Sequence, residues 1–391
     1  MINFTWQTPT KIIFGKGVEN EVGAEITARG FKKVLVHFGG GSVVKSGLLD
    51  RVKASLDATG IAHVELGGVV PNPRVSLVRK GIELCRKEGV DFILAVGGGS
   101  VIDSAKGIGY GVPNDFDVWE LFTGKAQPKA FLPVGCVLTL AASGSEMSDS
   151  TVLTRDEDDD KRGYNNTICR PLFAAMNPEL TFSLPEYQTM CGVVDILMHT
   201  LERYFTNDSG EVVDRMAEGL MVAVIEAGRR LFRNPRDYEA RAEVMWAGSL
   251  SHNGLTGAGR TSDFASHQLE LTVSGIYDVA HGAGLSAIWP SWARYVCRHN
   301  IARFAQFAVR VMGCRMNYFD PTATAAAGID ALERYFRDIN MPVTLAELGV
   351  DADDAAIERM VDMCSRQGTR TIGQFVKLDQ DDMRHIYGMA R

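Results

Sequence analysis

The sequence has no run of apolar residues long enough to cross a bilayer, and this absence excludes a membrane-embedded protein. Positive charge is not in excess either. The formal net charge is −7, which argues against nucleic acid or an anionic membrane as the main partner. The first residues, MINFTWQTPTKIIFGKG, lack the basic segment followed by an apolar one that begins a signal peptide. We therefore expect neither a nucleic-acid partner nor a membrane partner.

The cysteines form no C-x-x-C pair, so the pattern of a zinc knuckle or a disulfide framework is missing. The seven of them are scattered through a chain without a recognisable signal peptide, which is typical of a reducing compartment and predicts a cytoplasmic protein. The chain has 391 residues, more than one core usually accommodates, and this length predicts two domains.

The first half of the chain alternates β-branched runs with amphipathic stretches. The predicted strands cover 32–38, 62–69, 91–98 and 131–139, and the predicted helices cover 43–60, 72–89 and 100–112. Alternation at this spacing predicts a parallel sheet covered by helices.

The strand pattern stops near residue 185. Beyond it, apolar residues recur at helical spacing in 185–205, 212–232 and 238–255. We therefore predict an α/β fold, in which a Rossmann-like parallel-sheet domain (1–184) that binds a dinucleotide is followed by an all-helical, metal-binding domain (185–391). The acidic run at 155–162 is predicted to be a solvated turn.

Two glycine-rich loops follow predicted strands. VGGGSVIDSAK at 96–106 opens a helix, where glycines admit a ligand to the backbone and the helix N-terminus suits a phosphate. HFGGGSVVKSG at 37–47 repeats this arrangement at the position that often meets an adenosine ribose. It carries no acidic residue, and Ser42 with Lys45 suits a 2′-phosphate, which favours NADP(H) over NAD(H). The alternative is that Lys45 is simply a solvated helix residue.

A third loop, TLAASGSEMSDSTVLT at 139–154, follows the strand predicted at 131–139. Its small residues would admit a diphosphate or a nicotinamide, and Thr139, Ser143 and Ser145 offer hydroxyls. Ligands of open α/β sheets bind outside the carboxyl ends of the strands, so three such loops together predict a cofactor site. The alternative is that each loop is only a well-formed turn.

The helical half contains candidate metal ligands. Asp195 and His199 stand four residues apart, so a helix places them on one face, one turn apart. With His267 and His281 they form a carboxylate and imidazole set that suits Fe²⁺ or Zn²⁺. A simple hydrogen bond along the helix face is the alternative for the first pair, and His252 stays open as a further ligand.

Taken together, these motifs resemble the iron-containing (group III) alcohol dehydrogenase family. The resemblance runs over essentially the whole chain, and the stretches that carry it are VVPNP at 69–73, GGGSVIDSAK at 97–106, TLAASGSE at 139–146, the D-x-x-x-H of 195–199, His267, and HGAGL at 281–285. FGGGS at 38–42 and Lys161 are most similar to the NADPH-dependent aldehyde reductases and butanol dehydrogenases of that family.

The resemblance implies a metal site and a cofactor site. One divalent metal, Fe²⁺ or Zn²⁺, would be bound by Asp195, His199, His267 and His281. The cofactor would be bound at its adenosine end by Gly39, Gly40 and Ser42, with Lys161 near the 2′-phosphate and Asn72 along its length. The diphosphate and its surroundings would meet Gly97, Gly98, Gly99, Ser100 and Asp103, and the nicotinamide side would meet Thr139, Leu140 and Ser143.

The implied function is hydride transfer between NAD(P)(H) and a primary alcohol/aldehyde pair, in a homodimer. A polyol dehydrogenase of the same fold is an alternative, whereas a dehydroquinate synthase-like lyase would need a cluster of basic residues that we do not find. The family usually has a second histidine four residues after His267, and this chain has Leu271 there. That departure leaves the proton route open and keeps a catalytically weak nucleotide-binding protein as a further alternative. A second departure, Asn177–Pro178 in place of Asp–Pro, is expected to be structural.

Overall fold

A computed structural model describes the protein from Met1 to Arg391, and the chain forms two compact units. One comprises Gln7–Leu184, and the other comprises Met1–Trp6 together with Pro185–Arg391. The predicted domains, 1–184 and 185–391, differ from these units in the first six residues. The Ile2 N–H donates to the Gly259 carbonyl at 2.8 Å, which attaches this segment to the second unit. A segment without helical or strand periodicity carries no sign of the unit on which it packs.

The unit Gln7–Leu184 is an α/β structure. Its elements are β1 Lys11–Phe14, α1 Val22–Thr27, β2 Lys33–Gly39, α2 Ser42–Lys45, α3 Leu48–Asp57, β3 Ala62–Val69, α4 Val75–Glu88, β4 Phe92–Gly97, α5 Gly99–Gly111, α6 Trp119–Phe122, β5 Val134–Leu138, β6 Ser150–Thr154, β7 Lys161–Asn165 and β8 Phe173–Met176. Six strands form one sheet in the order β1-β8-β5-β4-β2-β3, and all neighbours are parallel. The predicted parallel sheet is thus confirmed. β6 and β7 form a separate antiparallel pair.

The central strands are apolar along their whole length because helices cover both faces of the sheet. Every residue of β4 and of β5 is buried. Chain order reverses between β2 and β4, since β3 lies outside β2 while β5 and β8 lie beyond β4. Gly97 pairs with Leu138, and Phe38 pairs with Val96, so β2, β4 and β5 end at one edge. This switch point is where open α/β sheets bind ligands.

One local prediction for this unit was wrong, and another was incomplete: the acidic run does form an exposed turn at 156–158. The helix predicted at 43–60 is interrupted, because Gly47 adopts a left-handed φ of 70° between α2 and α3. The acidic run at 155–162 is more than a solvated turn: the Asp156 carboxylate accepts hydrogen bonds from the Ser76 N–H and hydroxyl at the start of α4, at 2.9 and 2.8 Å. Its last two residues, Lys161 and Arg162, belong to β7.

Asn177–Pro178 has a structural role, as expected from the sequence. The Asn177 side chain accepts a hydrogen bond from the Glu179 N–H at 3.1 Å and caps a short 3₁₀ turn. Its amide donates to Glu19 at 3.0 Å, and Asn177 is buried.

The second unit is helical, as predicted. Its helices are α7 Glu186–Tyr204, α8 Glu211–Arg233, α9 Tyr238–His252, α10 Ala265–Tyr277, α11 His281–Val296, α12 Ile301–Arg310, α13 Pro321–Asp338, α14 Asp354–Cys364 and α15 Gln380–Ala390. Every residue of α7 from Thr189 to Tyr204 is buried, so α7 is the central helix of this unit. None of the helices combines the length and the apolarity that a membrane span requires.

Candidate active site

The N-terminus of α5 has the form of an anion site. Gly98 precedes the helix in an extended conformation, and no side chain caps the first turn. The first N–H groups of a helix have no partner within it, and the helix dipole adds positive potential there. Phosphate groups are commonly bound at such a place. Gly97, Gly98, Gly99 and Ser100 of the sequence prediction all lie here.

The loop after β5 packs directly on this N-terminus. A Cβ at Gly98 would lie 3.0 Å from the Leu140 Cβ, and a Cβ at Gly99 would approach the Ser143 Oγ to less than 3.0 Å. Only glycine at these two positions permits the approach without a shift of one partner. The structure therefore brings together two stretches that the sequence suggested separately. Thr139 joins them further, because its N–H donates to the Gly97 carbonyl at 3.1 Å.

The loop after β2 lies at the same edge of the sheet. Val101 of α5 lies beside both glycine loops. Its Cγ2 would be 3.9 Å from a Cβ added at Gly39, and it would be closer still to a Cβ added at Gly97. A Cβ at Gly40 would meet no atom within 4 Å, so this part of the loop faces open space. Ser42 begins α2, and both Ser42 and Lys45 are exposed. The arrangement leaves room for a ribose and a phosphate.

Two further predicted cofactor residues lie in this unit. Asn72 is buried and adopts a left-handed φ of 55° just before α4. Lys161 is half-buried at the start of β7. Burial raises the pKa of the Asp103 carboxyl, and the charges of Lys106 and Lys161 oppose that rise. Lys161 is thus close enough to α5 for its charge to act there.

The structure gives the Asp103 carboxylate partners within the protein. Oδ1 accepts a hydrogen bond from the Ser145 hydroxyl at 2.5 Å, and Oδ2 accepts one from the Val152 N–H at 3.0 Å. The fully buried Lys106 also donates to Ser145, at 3.0 Å. Sequence reasoning missed Lys106. Its signal was a lone Asp and Lys three residues apart in an otherwise small and apolar helix.

Three of the four predicted metal ligands converge in the helical unit. Asp195 is on α7, His267 is on α10, and His281 begins α11. The Asp195 Oδ1 lies 3.9 Å from the His267 Nε2 and 3.8 Å from the His281 Nε2. One ligand atom from each residue lies within 4.8 Å of the others.

The fourth, His199, adjoins this cluster. Its Nδ1 is 3.2 Å from the Asp195 Oδ1, as their spacing on α7 predicts. Its ring centroid lies 4.6 Å from that of His267 and 4.0 Å from that of His252, which meets it edge-on. Burial, with the neighbouring histidines second, holds the pKa of His199 well below its ordinary value. A lowered pKa favours the neutral form, in which imidazole binds a metal.

Two buried glutamates orient the imidazoles. Glu202 Oε1 accepts hydrogen bonds from both the backbone N–H and the Nδ1 of His267, each at 2.9 Å. Glu270 Oε2 accepts from the Nδ1 of His281. With each Nδ1 engaged, each Nε2 points toward Asp195. Carboxylates that bind the far nitrogen of a ligand histidine are typical of metal sites.

Sequence reasoning missed both glutamates, although each stands on the face of a predicted ligand. Glu202 follows His199 by three residues on α7, and Glu270 follows His267 by three on α10. A helix places residues at that spacing side by side.

The donor atoms of this cluster fit a divalent cation. Asp195 Oδ1, His267 Nε2 and His199 Nδ1 are buried and have no hydrogen-bond partner in the protein. Unpaired buried polar atoms are rare in folded proteins and call for a partner. One carboxylate oxygen and imidazole nitrogens form a donor set that suits Fe²⁺ or Zn²⁺. Burial alone would lower the pKa of His267, but the nearby carboxylates of Asp195 and Glu202 raise it to about 9.

Leu271 occupies the position at which the family usually has a second histidine. Leu271 is half-buried on α10, one turn beyond His267. An alkyl side chain transfers no proton, so no protonatable group stands at this position.

A Rossmann-like sheet with glycine loops at its carboxyl edge, and helices that carry a buried Asp/His cluster, define a nucleotide-dependent oxidoreductase of the metal-containing class. The sequence model of the iron-containing alcohol dehydrogenases matches residues 9–178, and that of the C-terminal domain of the Fe-containing alcohol dehydrogenase family matches residues 189–390. The chain belongs to the iron-containing alcohol dehydrogenase family.

Curated relatives and a solved structure agree with this assignment over the full length. The chain is 40% identical over 387 residues to the probable NADH-dependent butanol dehydrogenase 1 of Bacillus subtilis, covering 99% of each chain. It is 35% identical over 395 residues to the NADPH-dependent aldehyde reductase YqhD of Escherichia coli, covering 100% of each. The crystal structure of NADH-dependent butanol dehydrogenase A from Thermotoga maritima superposes with a TM-score of 0.96 at 37% identity, covering 100% of this chain and 99% of that one. The chain is an alcohol/aldehyde oxidoreductase that uses a nicotinamide cofactor.

Proposed function

We propose that Asp195, His199, His267 and His281 hold one catalytic divalent cation and that this cation is Fe²⁺. The observation that carries the proposal is the convergence of Asp195 Oδ1 with the Nε2 atoms of His267 and His281, at 3.9 and 3.8 Å. The name of the family supports iron. The donor set also suits Zn²⁺, which the experiment below tests as the alternative.

When bound, the cation supplies Lewis acidity toward the substrate oxygen, worth several kcal/mol of transition-state charge stabilisation. The chain's own residues provide orientation and charge. Asp195 contributes the one carboxylate among the proposed ligands. Glu202 and Glu270 hold each imidazole in the tautomer that leaves Nε2 free to bind. Burial of Asp195 and His267 keeps water away from the ligand atoms, which strengthens every charge interaction there.

The cofactor, we propose, is bound along the carboxyl edge of the sheet in the first unit. The uncapped N-terminus of α5 would bind the diphosphate through its backbone N–H groups. The loop that contains Leu140 and Ser143 would face the nicotinamide side. The remaining residues that we assign to this site are Gly39, Gly40, Ser42, Asn72, Gly97, Gly98, Gly99, Ser100, Asp103, Thr139 and Lys161.

Of the two nicotinamide cofactors, we propose NADP(H) as the preferred one. The β2 loop offers no carboxylate to a ribose 2′-hydroxyl, and exposed Ser42 and Lys45 stand beside open space. The aldehyde reductase relative named above is NADPH-dependent, which supports this choice. The two butanol dehydrogenases named above are NADH-dependent, which favours NAD(H) as the alternative.

The substrate class that we propose is a small primary alcohol and its aldehyde, as the names of the butanol dehydrogenase relatives suggest. Butanal reduction with NADPH and with NADH tests this assignment. Each is measured on protein purified without chelator, then after chelation, and then after addition of Fe²⁺ or Zn²⁺. We expect metal-dependent turnover that is restored better by Fe²⁺ and is faster with NADPH. Glycerol oxidation faster than butanol oxidation would instead favour a polyol dehydrogenase.

A pair of variants links the turnover to the cluster. His267→Ala removes a buried proposed ligand, whereas His299→Ala removes an exposed histidine far from it in sequence. We expect only His267→Ala to lose both bound metal and turnover. If that variant lost its metal and still turned over butanal, the proposed role of the cation would be wrong.

A homodimer and a cytoplasmic location complete the proposal. Light scattering at several protein concentrations tests the dimer, and cell fractionation tests the location.

A further inference from the structure

Lys106 is a buried charged group that the proposed reaction does not use. Its side chain is fully buried in α5. A buried ammonium is destabilising unless its donors are satisfied and an anion stands nearby. The Lys106 Nζ donates to the Ser145 Oγ at 3.0 Å, to the Ser148 carbonyl at 3.0 Å and to the Ser150 carbonyl at 2.8 Å. All of these hydrogen-bond acceptors lie in the segment that follows β5 or at the first residue of β6.

The nearby anion is Asp103, one turn earlier on α5. Ser145 links the two charges, because its hydroxyl accepts from Lys106 and donates to the Asp103 Oδ1 at 2.5 Å. A hydroxyl can do both at once. The other carboxylate oxygen of Asp103 accepts from the Val152 N–H of β6 at 3.0 Å. Lys106 and Asp103 thus attach the second half of the segment 139–152 to α5, at Ser145, Ser148, Ser150 and Val152.

We propose that Lys106, Asp103 and Ser145 act as positioning residues that fix the loop 139–150 against α5 and so shape the nicotinamide half of the cofactor site. This inference rests on the proposed cofactor site. Neither Lys106 nor Ser145 needs to touch the cofactor. Lys106 acts through the backbone of Ser148 and Ser150, and Asp103 acts through Ser145.

The part of the cofactor site that would bind the diphosphate does not depend on Lys106 or Asp103. The anion site at the start of α5 consists of backbone N–H groups after Gly98, and helix geometry sets their direction. Loss of Lys106 leaves that turn in place while the loop that carries Leu140 and Ser143 is released. The two halves of the cofactor should therefore respond differently to a change at Lys106.

A fragment of the cofactor separates the two halves. ADP-ribose carries the adenosine and the diphosphate of NADH without the nicotinamide, and 2′-phospho-ADP-ribose does the same for NADPH. We titrate wild type and Lys106→Met with each cofactor and its fragment by calorimetry. Lys106→Met removes all three of these charge-assisted hydrogen bonds, and we expect roughly tenfold to hundredfold weaker binding of the cofactor. The fragment should bind with an unchanged Kd, within about twofold.

A milder pair of variants covers the case in which Lys106→Met does not fold. Ser145→Ala breaks only the link between the two charges. Ser104→Ala is the matched control, since Ser104 is an equally buried serine of α5 whose hydroxyl instead bonds His37 at 2.8 Å. We expect Ser145→Ala to weaken cofactor binding relative to fragment binding, and Ser104→Ala to leave that ratio unchanged.

The outcomes are distinguishable. If wild type binds neither the cofactors nor the fragments, the proposed cofactor site is wrong. If wild type binds all of them but Lys106→Met and Ser145→Ala weaken cofactor and fragment equally, or weaken neither, the positioning role is wrong. A selective loss of cofactor binding in both variants supports it.

Discussion

The contact between Gly99 and Ser143 can be tested by a single methyl group. A Cβ added at Gly99 would lie closer than 3.0 Å to the Ser143 Oγ and 3.3 Å from the Ser143 Cβ. Rotation of Ser143 can move the hydroxyl but leaves its Cβ in place. The loop or the start of α5 must therefore shift by a few tenths of an ångström. Gly99→Ala thus probes whether the close approach of the two loops shapes the cofactor site.

The expected loss follows from these distances. An off-rotamer serine destabilises by about 1 kcal/mol, and mild overpacking by about 1–3 kcal/mol. A total of about 2–4 kcal/mol corresponds to about thirtyfold to thousandfold weaker cofactor binding. Alanine favours the helix over glycine by about 1 kcal/mol, which offsets part of this strain in the overall stability of the protein.

Fluorescence titration with NADPH and NADH measures the loss, and a double-mutant cycle assigns it. In Gly99→Ala/Ser143→Ala the clashing hydroxyl is gone and only the 3.3 Å contact of the two Cβ atoms remains, so we expect much of the loss seen in Gly99→Ala to be recovered. The matched control is Gly219→Ala on α8, where an added Cβ meets nothing within 4 Å. Additive effects of the two substitutions, or normal binding by Gly99→Ala, would refute the reasoning.

Three further predictions follow from polar groups whose partners the structure defines. Glu202→Gln removes the charge that orients His267 and should weaken metal binding about tenfold to hundredfold. Equilibrium dialysis measures the metal affinity, and Glu239→Gln at the exposed start of α9 is the control. Burial lowers the pKa of His37 from 6.5 to about 4 in the folded protein. The contribution of the neutral imidazole to the free energy of unfolding is therefore complete above pH 6.5, and it is lost as the pH falls toward 4. Wild type should therefore lose about 2 kcal/mol more of its free energy of unfolding than His37→Gln between pH 7 and 5, as measured by urea denaturation; equal losses would contradict the pKa assignment. Asp156→Ala removes the carboxylate that accepts from Ser76 at the first turn of α4, and it should destabilise the protein by about 1 kcal/mol. The thermal midpoint should fall, and an unchanged midpoint would show that this contact contributes nothing.

Patterns that are local in sequence predicted much of the fold. The four strands predicted from apolar runs at 32–38, 62–69, 91–98 and 131–139 all exist as β2, β3, β4 and β5. The strands β1 and β8 are four residues each, too short for periodicity to reveal them. They pair only because the remainder of the sheet presents an edge to them.

The sequence by itself determined which residues were available and how they were spaced along single elements. It placed Asp195 and His199 on one helix face, and it placed glycines at the ends of β2 and β4, because helix pitch and strand ends are local properties. Only the tertiary structure decided which groups meet. His267 and His281 join Asp195 because α11 packs on α7 and α10 packs on α11, and Lys106 acquires its partners because the segment before β6 folds over α5. Such encounters depend on the packing of the whole chain, which no single stretch of sequence records.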